Sequence, residues 1–327
     1  MRRLFRSAAL LAASALFSVV GALSQGSAED LSSRPIRIVS PFAAASVSDI
    51  SLRILGERLG ARLGTQIIFE NQPTGGGVVA AKAVITSPPD GHTLALLSNA
   101  TAVSAALFKK LPYDPIADFT PIGSVSDFSY IFLTNAKSNL RSVPDLIAAA
   151  RAKPGAMNFG TAAAGTSPNL TAVLFRKVSG IDFTVVPFRG ATDLTVALLR
   201  NDVDVVINAY GAVKANLNDG SLRAIATTAA TRTSVLPDVP TVGEAGIANF
   251  EVSSWNGLLA PRNTPPDVIE RLNRELRLTL AEPEIVRRFK ELGLEVRPSS
   301  PAELEERLRS EIARWSRVID EAGIERQ

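Results

Sequence analysis

Short apolar runs alternate with amphipathic stretches from residue 35 onward. Segments 36–39, 66–69, 94–97, 130–133, 184–186, 203–207 and 222–227 are brief, rich in Val, Ile, Leu and Thr, and bounded by polar or turn residues, which predicts buried strands. Between them the period lengthens. After Asp49, Leu52, Leu55, Leu59 and Leu63 recur at three- and four-residue steps and mark one face of a helix. Ser142 with Asp145 opens another, closed near Lys153-Pro154-Gly155. The alternation predicts an α/β fold of largely parallel sheets with helices on both faces.

The C-terminal third reads as helical. Thr264 precedes Pro265 as an N-cap with proline in the first turn, and Ile269, Leu272 and Leu276 line the inner face. Gly293 stops the next helix. Ser300, Pro301 and Glu303 form a capping box ahead of a long helix whose Leu304, Leu308, Ile312, Trp315 and Ile319 make one stripe, expected to pack against the first of two lobes.

The first 28 residues stand apart: Arg2, Arg3 and Arg6, then an apolar run from Ala8 to Leu23, then Gly26-Ser27-Ala28. That is the pattern of a cleavable secretory signal peptide. The run is shorter than the roughly 20 residues that span a bilayer, which disfavours a membrane anchor. With no cysteine in the chain, a lipid anchor on a cysteine, disulfides and a thiolate metal site are excluded. The leader's three arginines account for the whole formal charge of +3, so the mature chain is near neutral. No cluster of Lys and Arg interleaved with aromatics suggests nucleic acid. About 300 residues remain, enough for two domains.

Two loops carry candidate chemistry, each leaving a strand, rich in small and hydroxyl residues, and running into a helix start. One is Pro41-Phe42-Ala43-Ala44-Ala45-Ser46-Val47-Ser48-Asp49; the other is Gly160-Thr161-Ala162-Ala163-Ala164-Gly165-Thr166-Ser167-Pro168-Asn169, where Ser167 is expected to cap a helix beginning at Pro168. Free N–H groups at such a start, aided by the helix dipole, suit a carboxylate or phosphate. Hydroxyls of Ser46, Ser48, Thr166 and Ser167 could add donors. The alternative is a pair of ordinary caps with no ligand. A third segment, Asn71-Gln72-Pro73-Thr74-Gly75-Gly76-Gly77, lacks the dinucleotide-binding spacing and reads as a tight turn. Arg189 in Phe188-Arg189-Gly190 could balance a carboxylate or simply be exposed. Trp255 and Asn256 could line a cleft, although the indole suits a core.

Enzyme readings find little support. His92 is the only histidine, and in Pro89-Asp90-Gly91-His92 it is expected to face solvent. Gly165-Thr166-Ser167-Pro168-Asn169 lacks the final glycine of a nucleophile elbow, and no histidine follows it. A catalytic zinc site would lack its usual ligands. Asp202 and Asp204 are expected side by side on a strand end, facing water. No cofactor and no metal are expected.

Taken together the motifs resemble one family. Pro35-Ile36-Arg37-Ile38-Val39, Pro41-Phe42, Asp49-Ile50, Asn71 with Pro73 and Gly76-Gly77, Pro89-Asp90-Gly91, and Leu111-Pro112-Tyr113-Asp114-Pro115 occur in its order. Lys153-Pro154-Gly155, Gly165-Thr166-Ser167-Pro168, Leu236-Pro237-Asp238-Val239-Pro240-Thr241, Glu244-Ala245-Gly246, Ala260-Pro261 and Thr264-Pro265 continue it. The chain resembles the substrate-binding proteins of tripartite tricarboxylate transporters, the Bug (TctC-like) receptors of Gram-negative bacteria. The resemblance implies a two-lobed type II periplasmic binding-protein (Venus flytrap) fold, with residues 1–28 as signal peptide, 29–130 plus 254–327 as lobe 1 and 131–253 as lobe 2. It also implies a periplasmic receptor that takes a small organic anion between the lobes and delivers it to membrane permease subunits. A receptor that signals through a partner protein is the alternative, with a secreted hydrolase further off; no exposed apolar stripe remains after helix packing, so a monomer is expected.

By position, the resemblance assigns ligand contacts to the 41–49 and 165–169 loops; with the reading of the residues themselves, the candidate contacts are Phe42, Ala45, Ser46, Ser48 and Asp49, then Thr161, Gly165, Thr166, Ser167 and Asn169, and Arg189 and Asn208. The family's first loop usually reads Pro-Phe-x-x-Gly-Gly-x-x-Asp, and Ala45-Ser46 replaces both glycines here. Asn169 stands where histidine is common, Phe188 where tyrosine is, and Asn208 where aspartate is frequent.

Overall fold

A computed structural model describes residues 30–73, 77–163, 166–248, 250–321, 323, 325 and 326. The proposed signal peptide, residues 74–76 and Gly165 lie outside the described residues.

The first βα units are β1 (Ile36–Ser40), α1 (Val47–Leu63), β2 (Ile67–Asn71), α2 (Val78–Ile85), β3 (Thr93–Ser98) and α3 (Asn99–Leu107), followed by the long strand β4 (Phe119–Asn135). A second set comprises α4 (Val143–Ala152), β5 (Asn158–Ala162), α5 (Ser167–Ser179), β6 (Thr184–Phe188), α6 (Ala191–Arg200), β7 (Val205–Ala209), α7 (Tyr210–Asn218) and β8 (Leu222–Thr227). The chain then returns through β9 (Ser253–Pro261) into α8 (Pro266–Leu280), α9 (Pro283–Glu291), β10 (Glu295–Val296) and α10 (Pro301–Glu321).

Strand order is β2-β1-β3-β9-β4-β7-β5-β6, with β8 and β10 also paired to β4. Strand β4 belongs to both lobes: residues up to Ser129 pair with β9, and from Tyr130 its partners are β7 and β8. The expectation of largely parallel sheets is corrected. Pairs β1/β2, β1/β3, β5/β6 and β5/β7 are parallel, but β4 and β9 cross between lobes and run against every strand they meet. The first half of β4 carries no strand pattern because Pro121, Gly123 and several serines interrupt it, and register shifts at Pro121/Gly123 and Ser124/Ser126 break the alternation. Strand β9, in a region expected to be mainly helical, is buried almost throughout.

Among the described residues, three apolar clusters form the core. On one side of the sheets a single cluster runs from α2, α3 and α10 through Phe132 and Trp255 to α4 and α5. On the other side the core is divided, one part under α1, α8 and α9 and the other under α6 and α7. Leu52, Leu55, Leu59 and Leu63 are all buried, as their spacing predicts. Trp255 is also in the core.

Helix α10 begins with the expected capping box, Ser300 N–H donating to Glu303 Oε2 at 2.7 Å and Glu303 N–H to Ser300 Oγ at 3.3 Å. It grips both crossing segments: Arg307 pairs with Asp127 at 2.7 Å and lies over the Trp255 ring, while Arg314 donates to the Glu251 carbonyl at 2.7 Å.

Several local expectations change. Helix α8 starts one residue late, with Pro265 at the N-cap, because the Thr264 hydroxyl turns back to the Pro261 carbonyl. Asp202 and Asp204 precede β7 instead of lying on it, and Asp204 accepts the Asn158 N–H at 2.8 Å. His92 is buried, only 1% exposed, because the turn before β3 is covered by α8, whose Val268 lies at Gly91.

Candidate ligand-binding site

The first loop is built around one carboxylate. Asp49 accepts the Ala45 N–H at 2.9 Å, the Asn71 amide at 2.9 Å and Arg53 Nε at 3.0 Å. Asn71 also donates to the Phe42 carbonyl at 3.0 Å, which ties both ends of the loop to the end of β2. Burial by itself would raise the Asp49 pKa, but the bonds from Arg53, Asn71 and Ala45 outweigh it and hold the group below the usual carboxylate range. Phe42 packs against the lobe 1 core, and Ser46 caps α1 by accepting the Asp49 N–H at 3.2 Å. Ser48 is buried and donates to Asn256 Oδ1 at 3.2 Å, whose amide reaches Ser126 Oγ at 3.3 Å. Ser48 and Asp49 thus hold the loop to the crossing strands and to β2.

Ala45 has φ of 61°, the left-handed region that a Cβ disfavours by about 1–2 kcal/mol. Here the chain carries alanine where the resemblance has glycine. Ala45→Gly is therefore expected to stabilise the protein by about 0.5–1 kcal/mol after the glycine's greater unfolded-state entropy is subtracted, readable as a higher urea midpoint at unchanged slope.

The second loop differs in detail from its expectation. Thr166, not Ser167, is the N-cap residue of α5, and its hydroxyl donates to the Ala163 carbonyl at 2.6 Å instead of capping the helix. Asn169 donates to Thr161 Oγ1 at 3.1 Å, and that hydroxyl in turn donates to the Ala162 carbonyl at 2.9 Å. Ser167 is 2% exposed and hydrogen-bonded to the Tyr130 hydroxyl, which also bonds Ser254. Burial raises the Tyr130 pKa, partly offset by these two serines. Tyr130 and Ser254, from the two crossing strands, escaped the sequence reading because a tyrosine inside a strand run carries no positional signal.

Asn208 is the penultimate residue of β7, its Oδ1 accepting the Ala209 N–H at 2.9 Å, while its buried Nδ2 has no partner among the described residues. Arg189 is exposed, and among the described residues no acidic group pairs with it or links it to the other site residues.

The helix starts show a pattern. Helices α2, α5 and α7 begin with neither a side-chain cap nor an acidic residue in the first turn. Every other helix among the described residues has one or both: Ser46 and Asp49 on α1, Ser98 on α3, Ser142 and Asp145 on α4, Asp193 on α6, Asp267 on α8, Glu284 on α9, Glu303 on α10. All three bare starts adjoin the two loops. A Cβ on Gly77 at the α2 start would lie 3.4 Å from Pro41, one on Gly211 in α7 would lie 2.9 Å from Val47, and the α5 start is the second loop itself. Their unfilled N–H groups and positive dipole ends can hold anionic oxygen.

A separate groove of about 650 Å³ lies between residues 229–235 of lobe 2 and 290–298 of lobe 1, and contains none of the sequence-predicted site residues. Among the described residues there is no cluster of potential metal ligands, and no helix long and apolar enough to cross a membrane.

Known proteins share this architecture. Protein BugT of Bordetella pertussis is 32% identical over 317 residues, 96% of this chain and 97% of the relative. The solved structure of MatC from Rhodopseudomonas palustris with bound malate is 31% identical, covers 88% of this chain and 99% of that one, and superposes with a TM-score of 0.81. Another R. palustris protein, Rpa4515 with adipate, is 30% identical over 89% of this chain and 98% of that one, at a TM-score of 0.84. Residues 51–324 match the family described as tripartite tricarboxylate transporter family receptor. With that match, the full-length relatives and the two-lobed fold agreeing, this chain belongs to the tripartite tricarboxylate transporter receptors, a family of periplasmic solute-binding proteins and not of enzymes.

Proposed function

We propose that this chain, exported by residues 1–28, is a monomeric periplasmic receptor that closes on a small dicarboxylate and presents it to membrane permease subunits. The observation that carries the reading is the set of three bare helix starts, one in lobe 1 (α2) and two in lobe 2 (α5 and α7). A ligand with a carboxylate at each end gives each lobe one anionic group, so that closure satisfies both. Ser167 and Thr166 contribute their hydroxyls by exchanging their present partners, Tyr130 and Ala163, for the ligand; the buried Asn208 amide supplies an unmatched donor, and Arg189 supplies a positive charge after β6. Asp49 and Ser48 shape the first loop without touching the ligand; a second free carboxylate at the site would repel it. MatC with malate and Rpa4515 with adipate support the ligand class.

The test is thermal melting of the mature protein, first verified as unliganded by native mass spectrometry, against a panel of mono- and dicarboxylates including malate and adipate. A binder of the folded state at 100 times its Kd stabilises by about 2.7 kcal/mol, and the midpoint should rise accordingly. Ser167→Ala should weaken that binding about tenfold by calorimetry, the equivalent of one hydrogen bond. A panel in which no acid shifts the midpoint overturns the reading.

A further inference from the structure

One contact between the lobes reaches from the edge of the first loop to the end of α9 and is built too closely to be incidental packing. Helix α9 ends in a Schellman motif: Leu294 N–H donates to the Phe289 carbonyl at 3.0 Å, and Gly293 N–H to the Lys290 carbonyl at 2.9 Å, with Gly293 at φ of 74°. The motif leaves the next carbonyl, that of Glu291, without a partner in its own helix. Lys214 of α7, in the other lobe, donates to it at 3.1 Å. A cation there also faces the negative end of the α9 dipole.

Glycines on each side let the backbones meet. A Cβ on Gly211 would fall 2.8 Å from the Leu292 carbonyl oxygen and 2.9 Å from Val47 Cγ2. A Cβ on Gly293 would fall 2.8 Å from Tyr210 Cβ. Gly211 has ordinary helical geometry, so the requirement for glycine there comes from lobe 1 and not from its own backbone. The contact also bridges the side of the molecule where the apolar core is divided between the lobes.

We propose that the first turn of α7 and the last turn of α9 form an interlobe latch, with Gly211 and Lys214 as positioning residues that hold the closed arrangement. Val47 is in the first turn of α1, and Tyr210 follows Asn208 by two residues. The latch therefore connects the two ligand-facing helix starts mechanically, and its engagement sets the pose of both. This rests on the reading of the cleft as the binding site, but the latch itself can be tested without any ligand.

The chain has no cysteine, so a pair introduced at exposed Glu57 and Arg200 would carry spin labels at two unique sites, one per lobe. In the ligand-free mature protein the distance distribution should contain a short, latched population. Gly211→Val should reduce that population roughly tenfold or more, because the added carbons meet backbone that cannot rotate away. Lys214→Ala should reduce it by a smaller factor, Lys214→Arg should restore it, and Ala215→Val, on an exposed position of the same helix, should leave it unchanged. Circular dichroism and melting establish that each variant is folded; if Gly211→Val does not fold, the Lys214 pair decides. Distances in folded Gly211→Val and Lys214→Ala that match the parent chain overturn the latch. If the variants open as expected but malate and adipate alter neither distance nor melting in any of them, the latch stands and the dicarboxylate reading is what fails.

Discussion

Asp49→Ala should destabilise the protein by about 3 kcal/mol and abolish ligand binding, because Asp49 holds the first loop in shape. The carboxylate is 3% exposed and is the shared acceptor for Ala45 N–H, the Asn71 amide and Arg53. Its removal takes the shared acceptor from three part-buried donors, on Ala45, Asn71 and Arg53, and water replaces it only in part; a fully buried donor left so would cost about 1–3 kcal/mol. It also frees the loop to abandon the left-handed geometry at Ala45. Urea unfolding and calorimetry on the same preparation check both halves. A pH dependence follows from the same group. Its folded pKa lies below the ordinary value of 3.8, so the stabilisation is fully present above that value and is lost as pH falls through the folded pKa. Asp49→Asn should therefore be less stable at neutral pH and show a smaller loss of stability than the parent chain below about pH 4. Equal acid-limb slopes in both proteins would count against it.

Phe132→Ala should destabilise by about 4 kcal/mol and lower the melting midpoint by about 10 °C. Phe132 is fully buried where β4 enters lobe 2, with its ring 4.9 Å from Phe175, 6.3 Å from Phe159 and 6.4 Å from Phe250. Truncation leaves a cavity walled by rings from three other segments, which are too rigidly packed to collapse into it. Phe132→Leu retains most of the volume and should lose less than half as much. Calorimetric scans and urea midpoints measure the difference, and similar midpoints for the two variants would show that the cluster relaxes around the void.

Local patterns carried far where a residue and its partner are close in sequence. The Ser300–Glu303 box, the Ser142 cap and the leucine stripe of α1 are all relations over three or four residues, and all are found where the periodicity puts them. Local reading failed where the partner is distant. Ser167 has the right chemistry for a cap but bonds the Tyr130 hydroxyl of β4, and His92 has a turn signature yet lies under α8. The first half of β4 has serines and bulges in place of an alternating pattern because it pairs inside a crossing, where both faces are covered.

By itself, the sequence determined the family, the α/β class and most strands and helices, since hydrophobic periodicity and short motifs are properties of neighbouring residues. Only the tertiary structure decided which helix starts meet, that Asp49 is a loop organiser, that Tyr130 and Ser254 stand beside Ser167, and that Lys214 completes a helix from the other lobe. These pairings join residues 4 to 164 positions apart, and at the longer separations nothing in local composition encodes them. They are selected by the packing of two lobes whose crossing strands fix the register of everything on either side.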